Sequence, residues 1–218
     1  MFKDPFKGKQ ASTLNNPILV LGESHHDNNA NDNFTTQVVI NTNYKNNPTD
    51  KKYKFFHRIA KSFGVIESDI DSEFINFWDY VYFANYIDEL CGIGDNRAKK
   101  LVKDHKCKYN SELLDFINLN GVTHIFVFSR LVYNELPPLK NGSNEKAVRL
   151  TDNSLTVNGK RDWIEYCEYK SINHPQLNHD ICVYSMRHPS CRAGFNSENY
   201  RIVLGNAFKE LVKSLLSF

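Results

Sequence analysis

No stretch of this sequence is apolar for long enough to cross a bilayer, which takes about 20 residues. Its hydrophobic runs are short, as in Ile-Leu-Val-Leu at 18–21, so no membrane partner is expected. CxxC is also missing. The five cysteines (Cys91, Cys107, Cys167, Cys182 and Cys191) are odd in number. That argues against a disulfide framework, a zinc ribbon or a four-cysteine cluster. A reducing cytoplasm is then the simplest compartment, and neither a metal nor another cofactor is expected. The opening MFKDPFKGKQASTLNN has no apolar core and no small-residue cleavage site, so no signal peptide is expected. An excess of one charge is lacking too. Lysine plus arginine is 27 and acid is 25, a formal +2. This balance neither requires nor excludes nucleic acid, and local distribution has to decide. Internal repeats are absent.

What is present is 41% hydrophobic and 13% aromatic residues in a chain of 218, enough to bury a sizeable core in one domain over 1–218. Four short runs read as buried strands: Ile18–Leu21, Tyr80–Ala84, Ile125–Phe128 and Ile181–Tyr184. Helical patterns separate them. KKYKFFHRIAKSFG (51–64) puts Phe55, Phe56, Ile59, Ala60 and Phe63 on one face and ends on glycine. SELLDFINLNG (111–121) opens on Ser111 as an N-cap, and a last helix opens on Ser197. The alternation predicts an α/β fold, a three-layer α/β/α sandwich with a central four-stranded parallel sheet. Residues 27–50, rich in asparagine, read as a long polar loop. Residues 137–178 read as an insertion, with a hairpin around Asn158-Gly159.

Ligands of parallel sheets sit at the carboxyl ends of the strands. There the first strand presents Gly22-Glu23-Ser24-His25-His26, the second Asn85, and the last His188-Pro189-Ser190. Together these make a polar pocket, with an amide to read a planar group and imidazoles for proton or charge work. An ordinary strand-to-loop turn is the plainer reading of 22–26. Tandem histidines without a third spaced ligand make a poor metal site.

On the stretches ILVLGESHH, VYFAN and RHPSCRAGF the chain resembles the uracil-DNA glycosylase superfamily. That family carries a glycine-led motif after the first strand, an asparagine ending the second, and His-Pro-Ser after the last. The resemblance spans residues 17–216, with 137–178 poorly matched. It implies a monomeric, DNA-binding enzyme of base excision, or of defence against modified foreign DNA. Such an enzyme flips a pyrimidine, plain or 5-modified, out of DNA and hydrolyses its N-glycosidic bond. Asn85 would bond the Watson–Crick edge of the flipped base. His188 would meet the negative charge on the leaving base. Ser190 would bind a phosphate, and Arg192 would wedge into the duplex. Gly22 and Glu23 would offer backbone contacts to the base.

Many members carry an acid or amide, which handles the attacking water, where this chain has Ser24. A hydroxyl is no base near neutral pH without a partner. His25, Glu23 and Asp27 are the groups at hand to compensate. His26 replaces a bulky wall with an imidazole, which would suit a polar 5-substituent unless the ring turns away to cap the loop.

LCGIGDNRAKKLVKDHKCK (90–108) resembles a helix-hairpin-helix, but the preceding strand leaves little room for one. It is read as a basic helix with Arg97, Lys99, Lys100, Lys103, Lys106 and Lys108 near the DNA backbone, or as a solvated face. Two rivals stay open. One is an ester hydrolase with Ser24 as nucleophile and His188 as base, although Ser185 stands where its orienting acid is expected. The other is a non-catalytic nucleic-acid-binding relative.

Overall fold

Ile18–Gly22 is buried along its whole length, and its alternating side chains feed two separate cores. Ile18 and Val20 join one cluster with Phe56, Ile59, Ala60, Phe83 and Phe126. Leu19 and Leu21 join the other with Tyr82, Ala84, Val102, Tyr109 and Leu113. A strand with no wet side needs helices on both faces, and both faces have them. The computed structural model describes residues 5–24, 36–44, 46, 50, 53–64, 77–87, 89, 91, 95–136, 148–150, 156–157, 160–161, 164–190, 195–201 and 204–205. At 42–43, 95–97, 148–150, 156–157 and 160–161 the description covers the backbone alone.

In chain order the elements are β1 (Phe6–Lys7), β2 (Ile18–Gly22), α1 (Thr36–Val38, continued by a π-helical Val39–Tyr44), α2 (Lys54–Ser62), β3 (Val81–Asn85), α3 (Asp95–Asn120), β4 (His124–Val127), α4 (Arg130–Glu135), β5 (Val148–Leu150), β6 (Thr156–Val157), β7 (Lys160–Arg161), β8 (Ile164–Tyr169) and β9 (Ile181–Ser185). Residues 197–201 and 204–205 are also helical. The class is α/β, as the alternation predicts.

The sheet itself is larger than expected. Among the described residues it has seven strands in the order β1-β3-β2-β4-β9-β8-β5. The central β3, β2, β4 and β9, which are the four runs legible in the sequence, pair in parallel. β1 adds to β3, β8 to β9 and β5 to β8, all antiparallel. A four-stranded sheet would leave backbone donors and acceptors bare along β3 and β9, and the added strands satisfy them. Within 137–178, expected as an insertion, β5 and β8 thus belong to the sheet. The expected hairpin is present, with Val157 paired to Lys160.

Three further expectations are corrected. The stretch expected as a loop at 27–50 is helical over 36–44, because Thr36, Val39, Ile40 and Tyr44 are buried against the core. Ser111 caps nothing. It lies inside α3, whose buried seam of Ala98, Val102, Tyr109, Leu113 and Phe116 runs on past it at helical spacing. At the last helix the cap is Asn196, whose Oδ1 accepts from Glu198 N at 3.1 Å, while Ser197 Oγ donates to Arg58 O. The helix ends follow the sequence. Gly64 and Gly121 have φ of 100° and 62°, and Val122 N closes on Ile117 O at 3.0 Å, a Schellman stop.

Candidate functional site

The connection after β2 leads over the α2 face to β3. The chain then returns on the α3 face to β4, on the other side of β2. Strand order thus reverses between β2 and β4, and the crevice beyond their carboxyl ends is where a doubly covered sheet takes a ligand. Gly22, Glu23 and Ser24 open into that edge from β2, and Ser129 from β4.

Gly22 and Asn85 are partners in the parallel register. A β-carbon on Gly22 would lie 2.5 Å from Asn85 Oδ1 and 3.1 Å from Phe83 Cζ. A side chain added here would press on the Asn85 amide and on the Phe83 ring. Asn85 is only 7% exposed. The backbone around it is tied down, with Tyr86 N donating to Gly22 O at 3.0 Å and Ile87 N to Glu23 O at 2.9 Å.

Phe83 links this pair to the third strand end. Its ring packs edge-on against Phe55 of α2, with centroids 6.2 Å apart. Phe55 in turn lies against the His188 imidazole at 5.2 Å and 38°. A relay of ring contacts through Phe83 and Phe55 thus connects the Gly22–Asn85 pair to His188. His188 is half-buried. Its Nδ1 lies 3.2 Å from Ser190 N. A backbone N–H only donates, so Nδ1 accepts and the neutral ring carries its proton on Nε2. Pro189 is buried, and its carbonyl accepts a hydrogen bond from Arg58 Nη1. Ser190 is exposed.

Glu23 is held from β4. Ser129 Oγ donates to Glu23 Oε2 at 2.6 Å and accepts from Val132 N at 3.3 Å, so one hydroxyl both caps α4 and orients the carboxylate. Ser129 is 1% exposed, which keeps that geometry away from water. Ser24 is half-buried beside it. His25, His26 and Arg192 lie outside the described residues, as does the side chain of Arg97. Among the described residues no three His, Cys, Asp or Glu side chains converge as metal ligands.

The basic helix is the first half of α3. Lys99, Lys100, Lys103, Lys106 and Lys108 are exposed. Lys106 pairs with Glu135 at 3.3 Å, and Lys108 lies over the Tyr109 ring. The helix is tied to the site edge through Tyr86, whose hydroxyl donates to Asn110 Oδ1 at 2.8 Å, while Asn110 Nδ2 donates to Glu135 O. Burial first, and then the charges of Glu135, Tyr109 and Cys107, push the Tyr86 hydroxyl above the ordinary tyrosine range, so it remains a neutral donor.

Sequence pattern does not mark Phe55, Arg58 or Ser129 as site residues. Phe55 reads like one more core position. Ser129 has a signal, since a serine directly after a buried strand and before a helical stretch is an N-cap. Arg58 has none. No protein-family model matches the chain, and no curated protein matches its sequence.

Proposed function

We propose that the chain is a DNA glycosylase-like hydrolase that removes a flipped pyrimidine from DNA. The observation that carries the reading is the placement of the Asn85 amide over Gly22, joined through Phe83 and Phe55 to a His188 ring whose neutral form donates from Nε2. An amide offers a donor and an acceptor in one plane, which suits a pyrimidine edge. An Nε2–H donor suits charge that grows on that base only as it leaves. In the reaction the bond from the anomeric carbon to the base nitrogen breaks and its electron pair leaves with the base. Water oxygen bonds to the same carbon and its proton passes to a carboxylate. Among the described residues Glu23, oriented by Ser129, is a carboxylate at this edge and would supply the base that Ser24 cannot. Ser190 and the α3 lysines would hold phosphates. A preference for a polar 5-substituent rests on His26. Central parallel strands of a uracil-DNA glycosylase type are part of the same reading, as is a monomer.

The ester-hydrolase reading is weaker. A serine-hydrolase histidine donates from its second nitrogen to an acid. Here Nδ1 accepts, and residue 185 is a fully buried serine. The test is His188→Ala. It is expected to lower the excision rate by at least about 100-fold while DNA affinity stays within about threefold, because the charge it meets exists only in the transition state. Equal loss of rate and affinity would refute that role.

A further inference from the structure

Two residues one turn apart on α2 reach the same three-residue turn. Phe55 lies against the His188 ring, and Arg58 donates to the carbonyl of Pro189. Both are half-buried, whereas Phe56, Ile59 and Ala60 on the same helix serve the core. The backbone of Arg58 is itself anchored. Its carbonyl accepts from Ser62 Oγ at 2.9 Å and from Ser197 Oγ at 3.0 Å, which ties α2 to the start of the C-terminal helical segment.

The turn needs such support. Pro189 has no N–H to give, and its buried carbonyl requires a donor away from water. Arg58 is that donor. The next residue, Ser190, supplies the N–H that donates to Nδ1 and so fixes the tautomer of His188. Moving the Pro189 carbonyl therefore moves the Ser190 amide, and with it the proton on Nε2.

We infer that Phe55 and Arg58 form a clamp that sets the position and tautomer of His188, with Arg58 a positioning residue that acts through Pro189. This rests on the proposed role of His188, but the clamp is readable without it. Misplacing a catalytic group by about 1 Å costs roughly 100-fold in rate. Arg58→Ala is accordingly expected to slow excision by roughly 10- to 100-fold with DNA affinity within about twofold. Added guanidinium ion should restore part of the lost rate, and Arg58→Lys should fall between the two. Independently of activity, nitrogen NMR of the ring should show one tautomer in the unmodified chain and a mixture in Arg58→Ala. Phe55→Leu, which keeps apolar bulk but loses the ring, should show the same mixture. Unchanged His188 signals in both variants would overturn the clamp. So would activity that falls with thermal stability and is not rescued by guanidinium, which would assign Arg58 to the fold. If the unmodified chain excises no base while the ring signals shift as expected, the clamp stands and the glycosylase reading fails.

Discussion

Replacing Gly22 by alanine tests the geometry at the centre of the site. The backbone at Gly22 is an ordinary strand, so the cost is one of space. The new methyl would sit 2.5 Å from Asn85 Oδ1 and 3.1 Å from Phe83 Cζ, both inside the 3.4 Å at which ordinary contact begins. Phe83 is 1% exposed and packed against Phe55, Phe56 and Trp78, so it has nowhere to go. Overpacking of this kind costs about 1–3 kcal/mol. For a chain of this size that lowers Tm by about 2–4 °C per kcal/mol. The closer clash is with a side chain that can be deleted. In Asn85→Ala the Oδ1 atom is gone, and Gly22→Ala should then cost appreciably less. A double-mutant cycle by urea unfolding should thus give a coupling of about 1 kcal/mol or more, with the double variant more stable than the sum of the singles. Additive losses, within about 0.3–0.5 kcal/mol, would refute the placement of the Asn85 amide over Gly22.

Two other expectations concern charge. Burial lowers the pKa of His124, which stacks on Tyr184 and whose Nδ1 lies 2.9 Å from Thr123 Oγ1. Its folded value is below its unfolded value of about 6.5, so the unfolded chain binds the extra proton. The stability it contributes is complete above about pH 6.5 and is lost as pH falls through the lower folded value. His124→Gln should flatten the fall in stability between about pH 7 and 5, and an unchanged slope would refute the assignment. Exposed Lys99, Lys100 and Lys103 on α3 should contribute to the salt dependence of DNA binding. Changing all three to glutamine should reduce the slope of log affinity against log salt by roughly 0.9 for each phosphate no longer neutralised, while an unchanged slope would make this a solvated face.

The central four strands are legible because each is apolar on both sides, and only a doubly covered sheet asks for that. The outer strands are not. β1 is two residues long, and β8 carries Glu165 and Glu168 among its aromatics, so neither looks like a buried run. α3 looks like a separate later helix because Ser111 resembles a cap, and a serine's preference is overridden when the buried seam continues through it. At the site, Gly22, Asn85 and His188 can be picked out because they end or follow strands, where position alone implies a shared edge. Ser129 and Arg58 act through bonds to residues more than a hundred positions away in sequence. Local pattern carries no information about such pairs; only the register of β2 with β4, and the packing of α2 on the last turn, brings them together.

The most direct test of the central claim is a count of abasic sites. The purified chain is incubated with single- and double-stranded oligonucleotides carrying uracil or 5-modified pyrimidines, including hydroxymethyl and sugar-bearing forms, and strand breakage is scored after alkali. The account expects abasic sites at one or more of these bases, fastest where the 5-substituent is polar, and formed at least about 100-fold more slowly with His188→Ala. No abasic site at any base, together with hydrolysis of a simple acyl ester that is abolished by Ser24→Ala, would contradict it.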